Sequence, residues 1–483
     1  MIKPNKETRN ADANISTVYF FSKSHAKVPA DFATVEGLVA DSIKKEKSDI
    51  IQLYANGKRA FAVVYFKGKT EEPENIAEDI RILGSRLCKA ANAASVKGLV
   101  LYNPTTVFNK DQVLAFVEGI ELTNYEFFRH IKGKKPKNSL ENIFVNDKNI
   151  KEQNIDELNN LLAAVSYSKD LVNEPVNFLN ARDLANAAVR QGKKLGFSVK
   201  VLNKKQIKKL KMGGLLGVNA GSIDEPTFSI LEYKPRGAKN KAPLVLVGKG
   251  VVYDTGGYNL KISGSMGTMK CDMGGAAAVI GSISAIAANK LPLHVVGLIP
   301  STDNRIGLNA LVQDDIITMS DGTTVEVQNT DAEGRLILAD ALVYAQKYKP
   351  MLVIDLATLT GACAAVTGSY GIGLMANKTK YKSMVMASGS EVYERCTEFA
   401  MWREYNDLLK SDVADLKNIG GPTGGMITAA KFLEHFTNYD WIHLDIAGPA
   451  FIKDGAAHYH HKGGSAVGVR LLYNFAKKLA GQK

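Results

Sequence analysis

Apolar residues recur along this chain in two rhythms. Near-continuous apolar runs, PLVLVG at 243–248, LHVVGLIP at 293–300, MLVIDLAT at 351–358 and WIHLDIAG at 441–448, predict strands buried on both faces of a sheet. Between them, MKCDMGGAAAVIGSISAIAA (269–288) and LILADALVYAQKY (336–348) carry apolar residues at helical spacing. The first 150 residues alternate in the same way on a smaller scale: STVYFF, IIQLYA and AFAVVYF, an amphipathic stretch from Asn75 to Ala94, then GLVLYN. The pattern predicts an α/β protein with a smaller N-terminal α/β domain (1–150) and a connecting helix over 151–168. A larger α/β domain (169–483) follows, its central, mostly parallel or mixed sheet flanked by helices. The polar, lysine-rich stretch from Ile131 to Asn154 reads as the linker.

With 483 residues there is enough chain for two or three large cores, and 45% hydrophobic with 23% charged residues is a soluble globular composition. No apolar run reaches the roughly 18–20 residues of a bilayer span, and the N-terminus lacks the apolar segment of a secretory signal. Cys88, Cys271, Cys363 and Cys396 are scattered, with no CxxC pair, which predicts reduced thiols in a cytoplasmic setting. A net charge of +12 raises nucleic acid as a partner, but the excess divides into +5 before residue 151 and +7 after it. The clusters at 132–137 and 193–211 read as solvated surface.

The polar residues of interest fall at strand ends, where open α/β sheets collect ligands. VGKGVVYDTGGYNLK (247–261) places Lys249, Asp254 and Lys261 in a glycine-rich loop, Asp272 precedes a helix of small residues, and NTDAEGR places Asp331, Glu333 and Arg335 at the mouth of another. Each segment has an ordinary explanation: Gly256-Gly257 as turn chemistry, Gly274-Gly275 as close packing, Asp and Glu as caps on the helix dipole. Arg335 does not fit, because a cation in the first turn works against that dipole. Four carboxylates gathered in one shallow pocket would repel one another, a problem that two divalent cations, about 3.5–4 Å apart in dinuclear hydrolases, would remove. Spacing alone does not bring Asp272 to Asp331.

Taken together, VGKGVVYDTGG, MKCDMGGAA and NTDAEGRLILADAL resemble the leucyl aminopeptidase family of dinuclear zinc exopeptidases. KDLVNEPVN, MGGLLGVNAGS, DLATLTGA, GGMITAAKFLEHF and WIHLDIAG match in order over roughly 160–475. The resemblance implies a metal-dependent aminopeptidase that hydrolyses apolar, Leu- or Met-like residues from peptides with a free N-terminus, using a metal-activated water. By similarity Lys249, Asp254, Asp272 and Glu333 ligate one metal, and Asp254, Asp331 and Glu333 the second. The metals would be Zn or Mn, with Mg and Co as further candidates. Lys261 is then the protonated electrophile, and Arg335 holds a bicarbonate that serves as general base, a task its planar fork suits. The same similarity lines the substrate pocket with Met269, Thr358, Gly361, Ala447 and Ala450, gives the backbone of Leu359 and Gly361 to the peptide, and implies a cytoplasmic homohexamer. Met269 alone would read as ordinary core.

Two departures bear on this picture. Val312-Gln313-Asp314-Asp315 replaces the family's basic-Pro-Gly-Asp turn, which puts Asp314 where a left-handed residue is expected. HYHH at 458–461 has the look of a metal tract, but the family uses no histidine ligand, and a solvated loop is the preferred reading. The alternative functions are a different dinuclear metallohydrolase, against which the apolar pocket residues speak, and DNA binding by the N-terminal domain beside peptidase activity.

Overall fold

The computed structural model describes the chain except residues 5–13, 26, 28, 31–32, 34–35, 56–57, 67–71, 104–106, 134–135, 263, 454–456 and 482–483. Part of the basic cluster at 132–137 therefore lies outside the described residues. The chain divides into two compact units, Met1–Ala163 with Gly455–His461, and Ala164–Asp454 with Lys462–Lys483.

The first unit is a six-stranded sheet in the order Ile2–Pro4, Asn142–Asn146, Gly98–Tyr102, Ile15–Phe21, Lys58–Val64, Asp49–Ala55. All neighbours are parallel except the last pair, a hairpin. Asn142–Asn146 corrects the linker expectation: within that polar stretch Ile143 and Val145 alternate inward and pair with the sheet. A continuous helix, Glu152–Asn173, covers the connecting helix expected over 151–168. Helices Pro73–Ala93 and Lys110–Asn124 cross where Gly84 and Gly119 each face the other's backbone, and an added Cβ would strike a carbonyl. Arg81 bridges Glu78 and Glu118 in that buried seam. The 458–461 tract is not simply a solvated loop: Tyr459 is buried and its hydroxyl donates to Glu78 at 2.8 Å, as a buried phenol requires.

The second unit is built on a mixed nine-stranded sheet. Trp441–Asp445, Leu352–Ala357, Leu244–Gly248 and Val295–Asn304 form its parallel centre. Ile372–Ala376 runs antiparallel on one side and Thr227–Tyr233 on the other, while Gly250–Asp254 pairs in parallel with the C-terminal part of Val295–Asn304. Helices cover both faces, which is why these strands read as unbroken apolar runs. On one face Gly248 lies against Ala276 of helix Gly274–Ala288, too close for a Cβ. On the other, Val245, Val247 and Val353 pack with Leu336, Ile337 and Leu338 of helix Glu333–Ala345. Contrary to the reading that no run is long enough, the helical stretch Met269–Ala288 has the length and apolarity of a bilayer span. However, 94% of its window is buried, as in a core helix. Asp314 does take the left-handed conformation (φ 70°), and its N–H donates to Val327 O at 3.0 Å.

Candidate active site

The parallel strands deliver their carboxyl ends to one place. Lys249 follows the strand Leu244–Gly248, and Asp254 ends the next. Asp254 is aimed by two donors to Oδ1, the Gly256 N–H at 2.8 Å and Asn304 Nδ2 at 2.9 Å. The donation from Gly256 closes a tight turn in which Gly256 and Gly257 both have positive φ (87° and 64°), so the turn chemistry and the site are the same feature. The turn returns the chain to Lys261, whose N–H donates to Thr255 O at 2.9 Å. Lys261 Nζ then lies 2.9 Å from Asp254 and 2.6 Å from Asp331.

Asp272 sits in the 3-10 turn Met269–Met273 that opens into helix Gly274–Ala288, and its Oδ1 accepts from Thr358 Oγ1 at 2.7 Å. The NTDAEGR segment is held by a reciprocal clasp. Thr330 N–H donates to Asn259 Oδ1, and Asn259 N–H to Thr330 Oγ1, both at 2.8 Å. Glu333 is the first residue of its helix, and the N-cap residue before it, Ala332, makes no side-chain cap hydrogen bond. The Glu333 carboxyl turns to Lys249 instead, with Oε1 2.8 Å from Nζ, and Asp272 Oδ2 approaches the same ammonium at 2.9 Å. Glu333 thus stands in the first turn, as the dipole reading has it, but its carboxylate is committed to Lys249.

Oxygens of Asp254, Asp272 and Glu333 lie within 4.8 Å of one another, all buried. Glu333 Oε2 is buried with no hydrogen-bond donor among the described residues. Burial, reinforced by the neighbouring Asp254 charge, pushes the Glu333 carboxyl up to about 8. Burial pushes Asp272 up to about 6 against the pull of Lys249, and raises Asp331 as well. Burial alone would lower Lys249, but Asp272, Glu333 and Asp254 hold it above the usual lysine range; Lys261 is raised likewise by Asp254 and Asp331. A crowded, oxygen-rich cluster of acids whose charges raise one another's pKa has the donor chemistry of a divalent-cation site.

Arg335 is buried and points across its helix rather than into solvent. Its Nη1 donates to Asn418 O at 2.7 Å, while Nε has no partner among the described residues. Desolvation lowers the guanidinium to about 10. Asn418, which sequence reading missed, also receives the Gln328 N–H at 2.8 Å and donates to Asn329 O at 2.7 Å. It thereby ties Arg335 to the segment that carries Asp331.

These groups open on a cavity of about 610 Å³. Of the residues expected there, Lys249, Asp254, Lys261, Met269, Asp272, Asp331, Arg335, Thr358, Leu359, Gly361 and Ala447 line it. Glu333 and Ala450 do not reach its wall. Glu333 is buried behind it, and Ala450 is buried where a Cβ on Gly274 would meet it beside Thr358. Asp445 was also missed: it accepts from the Leu359 and Ala447 N–H groups and from Thr360 Oγ1, fixing two loops of the wall. The apolar reading of the wall needs amendment too, because Lys453 lines it beside Phe451 and Ile452.

Comparison with known proteins matches the chain to one family. The family model described as the cytosol aminopeptidase family, catalytic domain, matches residues 166–473. A probable cytosol aminopeptidase of Chlorobaculum tepidum is 42% identical, over 98% of this chain and 98% of its own. Among solved structures, the bottromycin maturation enzyme BotP in complex with Mn has a TM-score of 0.85 at 28% identity, covering 97% of this chain and 100% of that one. A tomato leucine aminopeptidase mutant has a TM-score of 0.83 at 27% identity, covering 99% and 96%.

Proposed function

The chain belongs to the cytosol aminopeptidase family and is an aminopeptidase, and from that premise we propose that it removes apolar, Leu- or Met-like N-terminal residues with the help of two divalent metal ions. The observation that carries the metal reading is the convergence of Asp254, Asp272 and Glu333 around a buried, unpartnered Glu333 oxygen. Asp254, Asp272, Asp331 and Glu333, with Lys249, would hold the ions. Divalent ions there would polarise the scissile carbonyl and acidify water.

The chain's own residues supply the rest. With Asp254, Asp272 and Glu333 all balanced by cations, the charges that raise Lys249 would be offset and burial would favour the neutral amine that can donate a lone pair. Lys261, less buried and set between Asp254 and Asp331, stays an ammonium and faces the cavity, where it stabilises developing negative charge on the substrate oxygen. Arg335, whose Nε–H has no partner among the described residues, would hold a planar anion, and a bicarbonate there would supply a base for the water's proton. Met269, Thr358, Gly361 and Ala447, with Ala450 behind them, would surround the substrate's first side chain. The backbone of Leu359 and Gly361 would hold the peptide. A cytoplasmic homohexamer is the corresponding assembly, checked by native mass.

The test is hydrolysis of leucine anilide with and without chelator, beside N-acetyl-leucine anilide and a phosphoester. Only the free-amine anilide is expected to react, and only with metal present. Comparable turnover of the acetylated substrate would overturn the aminopeptidase site, and turnover by verified metal-free protein would overturn the metals.

A further inference from the structure

The cavity wall carries a cation that the chemistry above leaves unused. Lys249 and Lys261 face carboxylates, and Arg335 donates to a carbonyl. Lys453 lines the same cavity, is exposed, and has no ion pair or hydrogen bond among the described residues. Its root is fixed. It follows the short strand Phe451–Ile452, which pairs with Gly463–Gly464, and the Ser465 N–H donates back to Ala450 O at 3.0 Å. The lysine is therefore anchored three residues beyond Ala450, in the same cavity wall as Met269 and Cys271.

We propose that Lys453 reads the side chain of the substrate's N-terminal residue and admits a carboxylate at its tip, so that the enzyme removes glutamate as well as Leu- or Met-like residues. This rests on the aminopeptidase reading of the same cavity. Glutamate has the length of the apolar residues that the wall suits, and differs in ending in a charge. The four acidic groups of the site would be balanced by cations in the loaded enzyme, which leaves Lys453, beside Lys261 and Arg335, as a wall cation that has no ion pair among the described residues. A lysine or arginine in the same place would meet a like charge, a bias against the wrong substrate as well as toward the right one. Because Lys453 is exposed, the discrimination is modest and salt-sensitive: an exposed ion pair is worth up to about 1 kcal/mol, roughly fivefold.

The experiment compares glutamyl and glutaminyl p-nitroanilides, which share a shape and differ in charge, on the metal-loaded enzyme with leucyl p-nitroanilide as reference. Wild type is expected to favour glutamyl over glutaminyl by about three- to fivefold in kcat/KM at low ionic strength, with the ratio shrinking in high salt. Lys453→Met should bring the ratio to about one, and Lys453→Glu should invert it. Taking the ratio within each variant cancels any general loss of activity. Leucyl cleavage with a wild-type ratio of one, or a ratio that Lys453→Met leaves unchanged, overturns the role of Lys453 while the peptidase stands. Failure to cleave any of the three anilides overturns both.

Discussion

Lys249 runs past Gly334 so closely that a Cβ there would stand 2.5 Å from its Cε and 2.7 Å from its Nζ. Glycine in the first turn of a helix gives up about 1 kcal/mol against alanine, so the position favours space for the lysine over helix propensity. Gly334→Ala should therefore fold with an unchanged or slightly raised Tm. The added methyl meets the flexible end of Lys249, which yields, and Nζ is moved from its place between Asp272 and Glu333. A fall in kcat of about 10²-fold is expected, the scale of a misplaced active-site group. A Tm loss with normal kcat would show that the glycine serves packing alone.

Asp272 is held by Thr358 and points its second oxygen at Lys249. Asp272→Ala should lower bound metal, measured by elemental analysis after dialysis, and cut activity by about 10²-fold or more. Chelated wild type should regain activity with Mn, Mg or Co as well as Zn, since carboxylate donors discriminate weakly among them. Equal metal content in variant and wild type would remove Asp272 from the ligand set.

Arg335→Ala should reduce kcat by roughly 10²–10⁴ with little change in KM, the usual worth of general-base assistance when its anion holder is lost. Arg335→Lys should fall between, keeping charge without the fork. Added bicarbonate should accelerate degassed wild type and leave the alanine variant nearly unmoved. Near-normal kcat in Arg335→Ala would reduce the residue to a structural tie to Asn418.

Asp340, fully buried in the helix that Glu333 begins, accepts the Leu215 and Ser320 N–H groups at 3.0 Å. Burial nevertheless raises its carboxyl to about 7 from an ordinary 3.8. Between those values the folded state binds a proton that the unfolded state has released, so this contribution to stability is full below about pH 4 and is lost as pH rises through about 7. The slope is about 1.4 kcal/mol per pH unit within the window. Unfolding of wild type and Asp340→Asn across pH 4–8 should differ by that slope, and parallel curves would refute it.

The apolar runs placed the polar residues of interest at strand ends, because a strand buried on both faces must end before polar residues can begin, but only the family resemblance joined Asp272 to Asp331. The NTDAEGR carboxylates were legible as an anomaly, and Arg335 was the reason. Asn418 was not legible, since its work is done on backbone groups some 90 residues earlier in the chain. Lys453 and Tyr459 were hidden for opposite reasons. One is a cation in a loop, which reads as solvated, and the other an aromatic in a histidine tract whose burial depends on Glu78, 381 residues away. The strand at 142–146 was masked by the polar residues that alternate with Ile143 and Val145.

The strand Trp441–Asp445, nearly the last in the chain, lies inside the sheet, between Ile372–Ala376 and Leu352–Ala357. Asp445 at its end fixes the loops that begin at Leu359 and Ala447. A growing chain thus holds its reactive carboxylates before it holds the strand that shapes the cavity wall. Such late, long-range pairing is slow. Until it is made, the chain is a set of acids with no bench to hold a peptide, and peptide cleavage becomes a signal that the fold has been completed.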